Sequence, residues 1–405
     1  MAIDPVRIGV IGAGDISQVY LGAITRSSAF TLHRIATRSR DKAQAIAAPY
    51  GATGSSVAEL LADDTIEMVV NLTPGRAHEE INRAAIEAGK HVYSEKPFAL
   101  SRKMAETLAE RAEARGVLIG SAPDTFYGSA HQAARHALDG GAIGRPVFGT
   151  SLLGLPGLEH FHPNPAAFYQ PGGEPPFDVG PYYITMWLHL LGPVRRVFAA
   201  SGSGQAQRTI RRGPLQGTSF AVEVDTTFNA TLEFETGFVN LTMSLDVVAP
   251  IQRPGELYGA QGILSLADPI FFSGDPSLLR PGEGRTALSG HDLPFSQPNR
   301  LNHAGQPVAD YRGVGLTDLA LALRHGRQHR TAPDFIVHAV EVMEAIAQSA
   351  RSGQSIAMQT GCRRPDLIDP VADAELIALT PSPFDPADAR PHTEPPLTPI
   401  DATAS

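Results

Sequence analysis

One cysteine, Cys362, occurs in the 405 residues of this chain. A lone thiol makes no internal disulfide and cannot build a cysteine-rich zinc site. Long runs of one charge sign are missing as well: 33 Lys and Arg face 42 Asp and Glu, a net charge of −9. Nucleic-acid binding draws on clustered cations that neutralise phosphates, so that class of partner is disfavoured. Nothing at the start reads as a secretory leader, because Met1–Pro5 lacks a basic cluster and Val6–Ile11 is too short an apolar run. The most apolar stretch elsewhere, Tyr182–Leu191, is about half the ~20 residues that a membrane helix needs. No internal repeat is evident. These absences point to a soluble, cytoplasmic protein without a membrane partner. The length predicts two domains, each with its own core.

What is present first is an alternation of two periods. Short β-branched runs lie at Val6–Ile11, Thr31–Thr37, Met68–Leu72, His91–Tyr93 and Val117–Ile119. Helical patterns fall between them, at Ile16–Ser27, Asp41–Tyr50, Val57–Ala62, Glu79–Ala88 and Ser101–Arg115. Strands alternating with helices predict a parallel sheet. Gly51, Gly89 and Gly116 stand where such helices end in a residue of positive φ.

The pattern changes after Pro123. A helix is expected over Ser129–Leu138, a strand from Pro146, a Pro- and Gly-rich loop over Leu155–Pro176 and a helix over Pro181–Leu191. Long β runs follow at Arg195–Ala200, Ala221–Phe234, Phe238–Val248 and Gly255–Leu266, with a hairpin at Glu235-Thr236-Gly237. Runs of strands with few helices between them predict an antiparallel sheet and an α+β domain. Two helices are expected near Leu316–His325 and Phe335–Ser352. Thr380–Ser405 holds seven prolines and reads as a flexible or surface-draped tail. The expected division is an α/β Rossmann domain over 1–124, an α+β domain over 125–375 and a proline-rich tail over 376–405.

Val6–Ile11 leads into Gly12-Ala13-Gly14-Asp15-Ile16-Ser17, and a helix begins within that stretch. The first glycine allows the tight turn, the second lets backbone approach a pyrophosphate, and the third position, here Ser17, keeps helix and strand close. A helix N-terminus then offers free N–H groups to the phosphates. Set between strand and helix in a βαβ pattern, this loop, including Asp15 and Ile16, is read as a dinucleotide site. An acid about 20 positions on would select the 2′-hydroxyl of NAD. The second strand ends instead at Ala36-Thr37-Arg38-Ser39-Arg40. Thr37 does not repel a 2′-phosphate, and Arg38 is able to pair with one. The cofactor is therefore NADP or NAD, with a lean to NADP.

Chemistry is expected at the carboxyl ends of the strands. Two such ends carry Asn71-Leu72-Thr73-Pro74-Gly75-Arg76-Ala77-His78 and Glu95-Lys96-Pro97. On spacing alone, Glu95 and Lys96 read as a surface ion pair. Farther on, Asp178 and Tyr182 lie four apart around Pro181, a residue that suits a first helical turn. Alone, that segment reads as a helix capped by Asp178 with core aromatics. Asp124, where the chain leaves the first domain, is a candidate floor residue of the cleft. His160 and His162 lie on the loop before Asp178, where binding groups are common. No third ligand accompanies them, so no metal is expected. Trp187 is read as core.

Together these residues resemble a known family. Gly12-Ala13-Gly14, Thr73-Pro74, His78, Ala88-Gly89-Lys90-His91-Val92, Glu95-Lys96-Pro97 and Asp178-x-Gly180-x-Tyr182 look like the glucose–fructose oxidoreductase/inositol dehydrogenase family (Gfo/Idh/MocA). Ile143–Val147 and Tyr258-Gly259-x-x-Gly262 fit it too, and the likeness runs from Val6 to Met358. It implies a Rossmann domain joined to an open-faced, mostly antiparallel sheet, and a homodimer or homotetramer formed through that sheet. It implies cofactor contacts at Thr73, Pro74, His78, Glu95 and Lys96, with His78 near the nicotinamide ribose. Lys96 matches the catalytic lysine and Asp178 an active-site carboxylate. Tyr182 stands where many members have histidine and some tyrosine, so acid/base work falls to Tyr182 or to Asp178. The substrate implied is a sugar, glycoside or cyclic polyol, held by Lys96, Asp124, His160, His162, Asp178 and Tyr182. Three rival readings stand beside it: glycoside cleavage by transient oxidation on a tightly bound NAD(H), which uses the same site differently; a non-catalytic dinucleotide sensor, which has no need of Lys96, Asp178 and Tyr182; and reduction of an unrelated carbonyl.

Overall fold

The computed structural model describes residues 3–302 and 305–384; the larger part of the expected tail, 385–405, lies outside them. Helix α1 (Ser17–Arg26) follows strand β1 (Val6–Ile11). Then come β2 (Phe30–Ala36), α2 (Arg40–Ala47), β3 (Thr53–Ser55), α3 (Val57–Leu61), β4 (Met68–Asn71), α4 (His78–Glu87), β5 (His91–Ser94), α5 (Arg102–Arg115) and β6 (Ile119–Ser121). All pair in parallel in the order β3-β2-β1-β4-β5-β6. The expected alternation is present; only the short β3 had no signal.

Local chemistry sets the ends of these elements. Ser39 accepts from the Lys42 N–H and starts α2. Ser56 and Glu59 form a reciprocal capping box on α3. Gly116 closes α5 in the left-handed region. The central strand β4 is buried on both faces, as a parallel sheet covered by helices requires.

A second set of elements begins with α6 (Ser129–Asp139), β7 (Pro146–Gly154), α7 (Pro175–Asp178) and α8 (Gly180–Leu191). Strands β8 (Arg196–Gly202), β9 (Gln207–Thr209), β10 (Ser219–Ala221), β11 (Thr227–Glu233) and β12 (Phe238–Ser244) follow. Next are β13 (Ile251–Gly259), β14 (Ile263–Ser265), β15 (Ser277–Leu279), β16 (Thr286–Ala287), β17 (Arg300–Leu301) and β18 (Pro307–Val308). The chain continues with α9 (Val314–His325), α10 (Pro333–Ser352), β19 (Ile356–Ala357) and α11 (Ala374–Ala378). Nine strands form one sheet, ordered β16-β15-β14-β13-β7-β12-β11-β8-β19. Its pairs are antiparallel except β7 with β12.

Trp187 of α8 is fully buried on one face of this sheet, donating to the Ser151 hydroxyl at 3.1 Å. Gly149 and Gly255 make room for its ring; a Cβ on Gly149 would stand 2.8 Å from it. Side chains alternate along a strand, so Phe148 points to the opposite face. There it stacks on Tyr258 at 4.4 Å, with Phe238 at 6.1 Å.

Three expectations change. The run Ala221–Phe234 is not one strand: β10 pairs with β9 in a separate ribbon, and β11 joins the large sheet. The cause is a hydroxyl-rich turn, where Thr226 and Thr227 both donate to Asp246. Nor are the two compact units contiguous. One takes residues 3–127, 310–340 and 365–384, the other 128–302, 305–309 and 341–364. The described part of the tail is packed rather than loose. Leu376 and Leu379 are buried, and Ser27 donates to the Leu379 carbonyl. No helix among the described residues is long and apolar enough to cross a membrane.

Candidate active site

The phosphate loop stands on two glycines with different tasks. Gly12 has φ +103°, and a Cβ there would lie 2.5 Å from the Leu72 carbonyl. Only hydrogen fits, so the ends of β1 and β4 meet. A Cβ on Gly14 would meet nothing within 4 Å. Ser17 donates to the Gly14 carbonyl at 2.6 Å and closes the turn. No side chain caps α1 at Ile16. An uncapped helix start beside an open glycine fits a pyrophosphate. At the tip of β2 the Thr37 hydroxyl is turned to Ser39, while Arg38 is exposed.

At the ends of β4 and β5, buried polar side chains tie two loops together. Asn71 accepts from the Thr73 N–H and hydroxyl and donates to Asn82. Asn82 in turn donates to the Phe98 carbonyl at 3.2 Å. The His78 ring lies between the Pro97 carbonyl, 2.7 Å from Nδ1, and the Thr73 carbonyl, 2.6 Å from Nε2. Both carbonyls favour the charged ring. Burial outweighs them and holds His78 below the usual histidine value. His78 thus braces the turn at Thr73-Pro74 against the one at Lys96-Pro97. Lys96 itself is half-buried, and its backbone N–H donates to Glu95 Oε2 at 3.0 Å.

Asp124 differs from the expectation of a cleft-floor residue. It is 1 % exposed and accepts from the Gly313 and Gly315 N–H groups at the start of α9, at 2.9 and 3.0 Å. The Tyr93 hydroxyl lies 3.3 Å away. Burial pushes Asp124 up to about 6, against the pull of those two amides and Arg312. The carboxylate serves a helix N-terminus, and its burial leaves no surface for a sugar.

In the other unit, the loop carrying His160 and His162 rests on a buried ion network. Arg208, 2 % exposed, bonds Glu159 at 2.7 Å and Asp246 at 2.5 Å. Tyr169 donates to Glu159 at 2.6 Å, and its ring lies 5.0 Å from the guanidinium. His160 is held below the usual histidine value by burial, which Glu159 opposes. His162 Nδ1 accepts from the Asn164 N–H at 3.1 Å, which leaves Nε2 as the donor. Among the described residues, no group of three or more His, Cys, Asp or Glu side chains has metal-binding geometry.

Asp178 ends α7 instead of capping α8, whose first turn has no side-chain cap. The adjacent tyrosines separate: Tyr183 is core, accepting from Gln252 at 3.3 Å, whereas Tyr182 and Asp178 stay half-exposed. Sequence reasoning assigned no role to Tyr20, Asn82 or Arg208. Each is polar and buried, and Tyr20 and Asn82, on the buried sides of α1 and α4, left a trace in the periodicity.

Two family models match the chain. One, described as an oxidoreductase family with an NAD-binding Rossmann fold, takes residues 6–122. The other, described as the GFO/IDH/MocA C-terminal domain, takes residues 131–265. The chain belongs to the Gfo/Idh/MocA oxidoreductase family. It is 29% identical over 368 residues to 1,5-anhydro-D-fructose reductase of Ensifer adhaerens, covering 88% of this chain and 99% of that protein. Against inositol 2-dehydrogenase 3 of Saccharopolyspora erythraea it is 32% identical over 145 residues, 35% of this chain and 43% of that protein. Levoglucosan dehydrogenase in complex with NADH and L-sorbose shares the fold, with a TM-score of 0.73, 18% identity and coverage of 88% of this chain and 99% of that one.

For this Gfo/Idh/MocA member the two loop glycines separate by experiment. Gly14→Ala is expected to melt with the wild type while losing about tenfold in NADPH or NADH affinity, roughly 1.4 kcal/mol. Gly12→Ala is expected to cost on the order of 2–3 kcal/mol in folding stability. Calorimetric melts and fluorescence titrations of both variants check this. Undiminished affinity in Gly14→Ala rules out the phosphate loop as the cofactor cradle.

Proposed function

We propose that the protein interconverts a secondary hydroxyl and a carbonyl on a sugar, glycoside or cyclic polyol, in the cytoplasm. The observation that carries this is the clamp on Lys96. The lysine follows β5 on the same edge of the parallel sheet as the phosphate loop after β1. Glu95 accepts from the Lys96 N–H, and His78 holds the Pro97 carbonyl. The nicotinamide, when bound, supplies the hydride donor or acceptor.

The chain's residues have two remaining tasks: to stabilise the negative charge that develops on the substrate oxygen and to move its proton. The Lys96 ammonium does the first. Tyr182, half-exposed where its neighbour Tyr183 is core, takes and returns the proton, with Asp178 orienting the hydroxyl. Asp178 as the base is the alternative within this scheme. Asp124, being buried, supports the fold beneath the site. His160 and His162 supply donors for further hydroxyls.

Three measurements check this reading. On a panel of sugars, glycosides and inositols followed at 340 nm, Lys96→Ala and Tyr182→Phe are each expected to lose at least about a hundredfold in kcat, with cofactor affinity retained in Tyr182→Phe. Near-normal turnover in both removes the assignment, and substrate consumption without net change in NAD(P)H replaces it with transient oxidation. For the cofactor we infer NADP. Arg38 is exposed at the tip of β2, whereas Arg40 lies 3.3 Å from Glu59. Arg38→Ala is expected to weaken NADPH about tenfold and NADH little, and tighter NADH binding to the wild type overturns the inference. For assembly we infer a homodimer or homotetramer through the sheet face that carries Phe148, Tyr258 and Phe238, with Phe198 exposed on the same face two strands from Phe238. Light scattering is expected to find an oligomer that Phe198→Asp weakens; a wild-type monomer at micromolar concentration sinks it.

A further inference from the structure

Glu95 is an acidic side chain almost out of reach of water, 6 % exposed. A buried carboxylate is tolerated only when its oxygens are met by donors. Its Oε1 accepts from the Tyr20 hydroxyl at 2.8 Å, and its Oε2 from the Lys96 backbone N–H at 3.0 Å. Tyr20 belongs to α1, one turn past Ser17, and is fully buried. Its ring lies 6.2 Å from that of Tyr93 on β5. Burial and the nearby carboxylates push the phenol well above the usual tyrosine value, so it stays protonated and donates.

We propose that Tyr20 is a positioning residue for Lys96: through Glu95 it fixes the lysine's backbone to the helix that begins at the phosphate loop. The proposal rests on Lys96 being catalytic, as argued above. The physical content is a fixed distance. The phenol anchors one carboxylate oxygen and thereby aims the other at the Lys96 amide. The helix that supplies the phenol is the one whose N-terminus fits the pyrophosphate. A shift of α1 on cofactor binding is therefore transmitted to Lys96 through two hydrogen bonds and one carboxylate. Removal of the hydroxyl takes away the donor that Oε1 has in Tyr20, and the carboxylate then turns toward another donor. That change loosens the grip on the Lys96 amide.

The chain has four lysines, Lys42, Lys90, Lys96 and Lys103, which makes the lysine itself a usable reporter. Reductive methylation of the full-length protein with ¹³C-formaldehyde gives a small set of methyl signals, and Lys96→Arg assigns the one of interest. In Tyr20→Phe the Lys96 signal is expected to be displaced and its response to added NADPH or NADH diminished, with the Lys42 and Lys103 signals unchanged. Unmethylated Tyr20→Phe is expected to lose about tenfold in kcat on the panel sugars, a loss typical of a slightly misplaced catalytic group, with KM and cofactor affinity close to wild type. A role confined to stability lowers the melting temperature and moves neither readout. Glu95→Gln keeps the volume but replaces a charged acceptor by a weaker neutral one. It is expected to displace the same signal less, and it carries the test if Tyr20→Phe does not fold. An unmoved Lys96 signal with wild-type kcat in the folded variant overturns the positioning role. Full turnover by Lys96→Ala sinks the catalytic reading instead, whatever the signal does.

Discussion

At Gly12 the backbone leaves no room for a side chain, and the carboxyl edge of the parallel sheet depends on that. The close approach to Leu72 brings the turn after β1 against the end of β4. The Leu72 N–H donates to the Ile11 carbonyl and the Gly12 N–H to the Ala36 carbonyl, so three strand ends are held level. From that edge the loops at Gly12–Ser17, Thr73–His78 and Glu95–Pro97 emerge side by side. The polar ties among them follow: Asn71 to Thr73, His78 between two carbonyls, Glu95 between a phenol and an amide. Each is short because the strand ends beneath it are fixed.

Buried carboxylates are met in two ways, by neutral donors and by guanidinium groups, and the dinucleotide unit uses both, its Asp318 pairing with Arg327 and Arg330. In the dinucleotide unit, the carboxylates of Glu95 and Asp124 are met mainly by neutral donors, namely phenols and backbone amides. Such donors are directional and belong to rigid elements, so they fix position well. In the other unit, Arg208 lies between Glu159 and Asp246. Loss of one member of a buried charge network leaves the rest uncompensated, which ties the loop of His160 to the integrity of the whole cluster. Gly157 shares that dependence: its φ is +118°, and a Cβ there would overlap Arg208.

Much of the architecture was legible before any coordinates. The alternation of periods gave all but one strand of the parallel sheet. Gly51, Gly89 and Gly116 take the positive φ expected of helix ends. What misled was parity without partners. Val222, Val224, Thr226 and Phe228 keep one alternating pattern through a change of neighbour, because a period of two records which face is buried and not which strand lies beside it. Composition misled at the start of the tail, where Thr380 and Pro383 are buried just after Leu379.

For the site, the chain alone displayed the Gly12–Ser17 loop, the Glu95-Lys96-Pro97 turn and the lack of an acid at the tip of β2. These are contiguous motifs whose chemistry depends on spacing along the backbone. Only the tertiary structure decided that Asp124 serves α9, that Tyr182 and Tyr183 part ways, and that Tyr20 meets Glu95 across 75 positions. Residues 310–340 return to the first unit for the same kind of reason. Burial of a polar group depends on donors brought from distant elements, and no local period or composition records which distant donor will arrive.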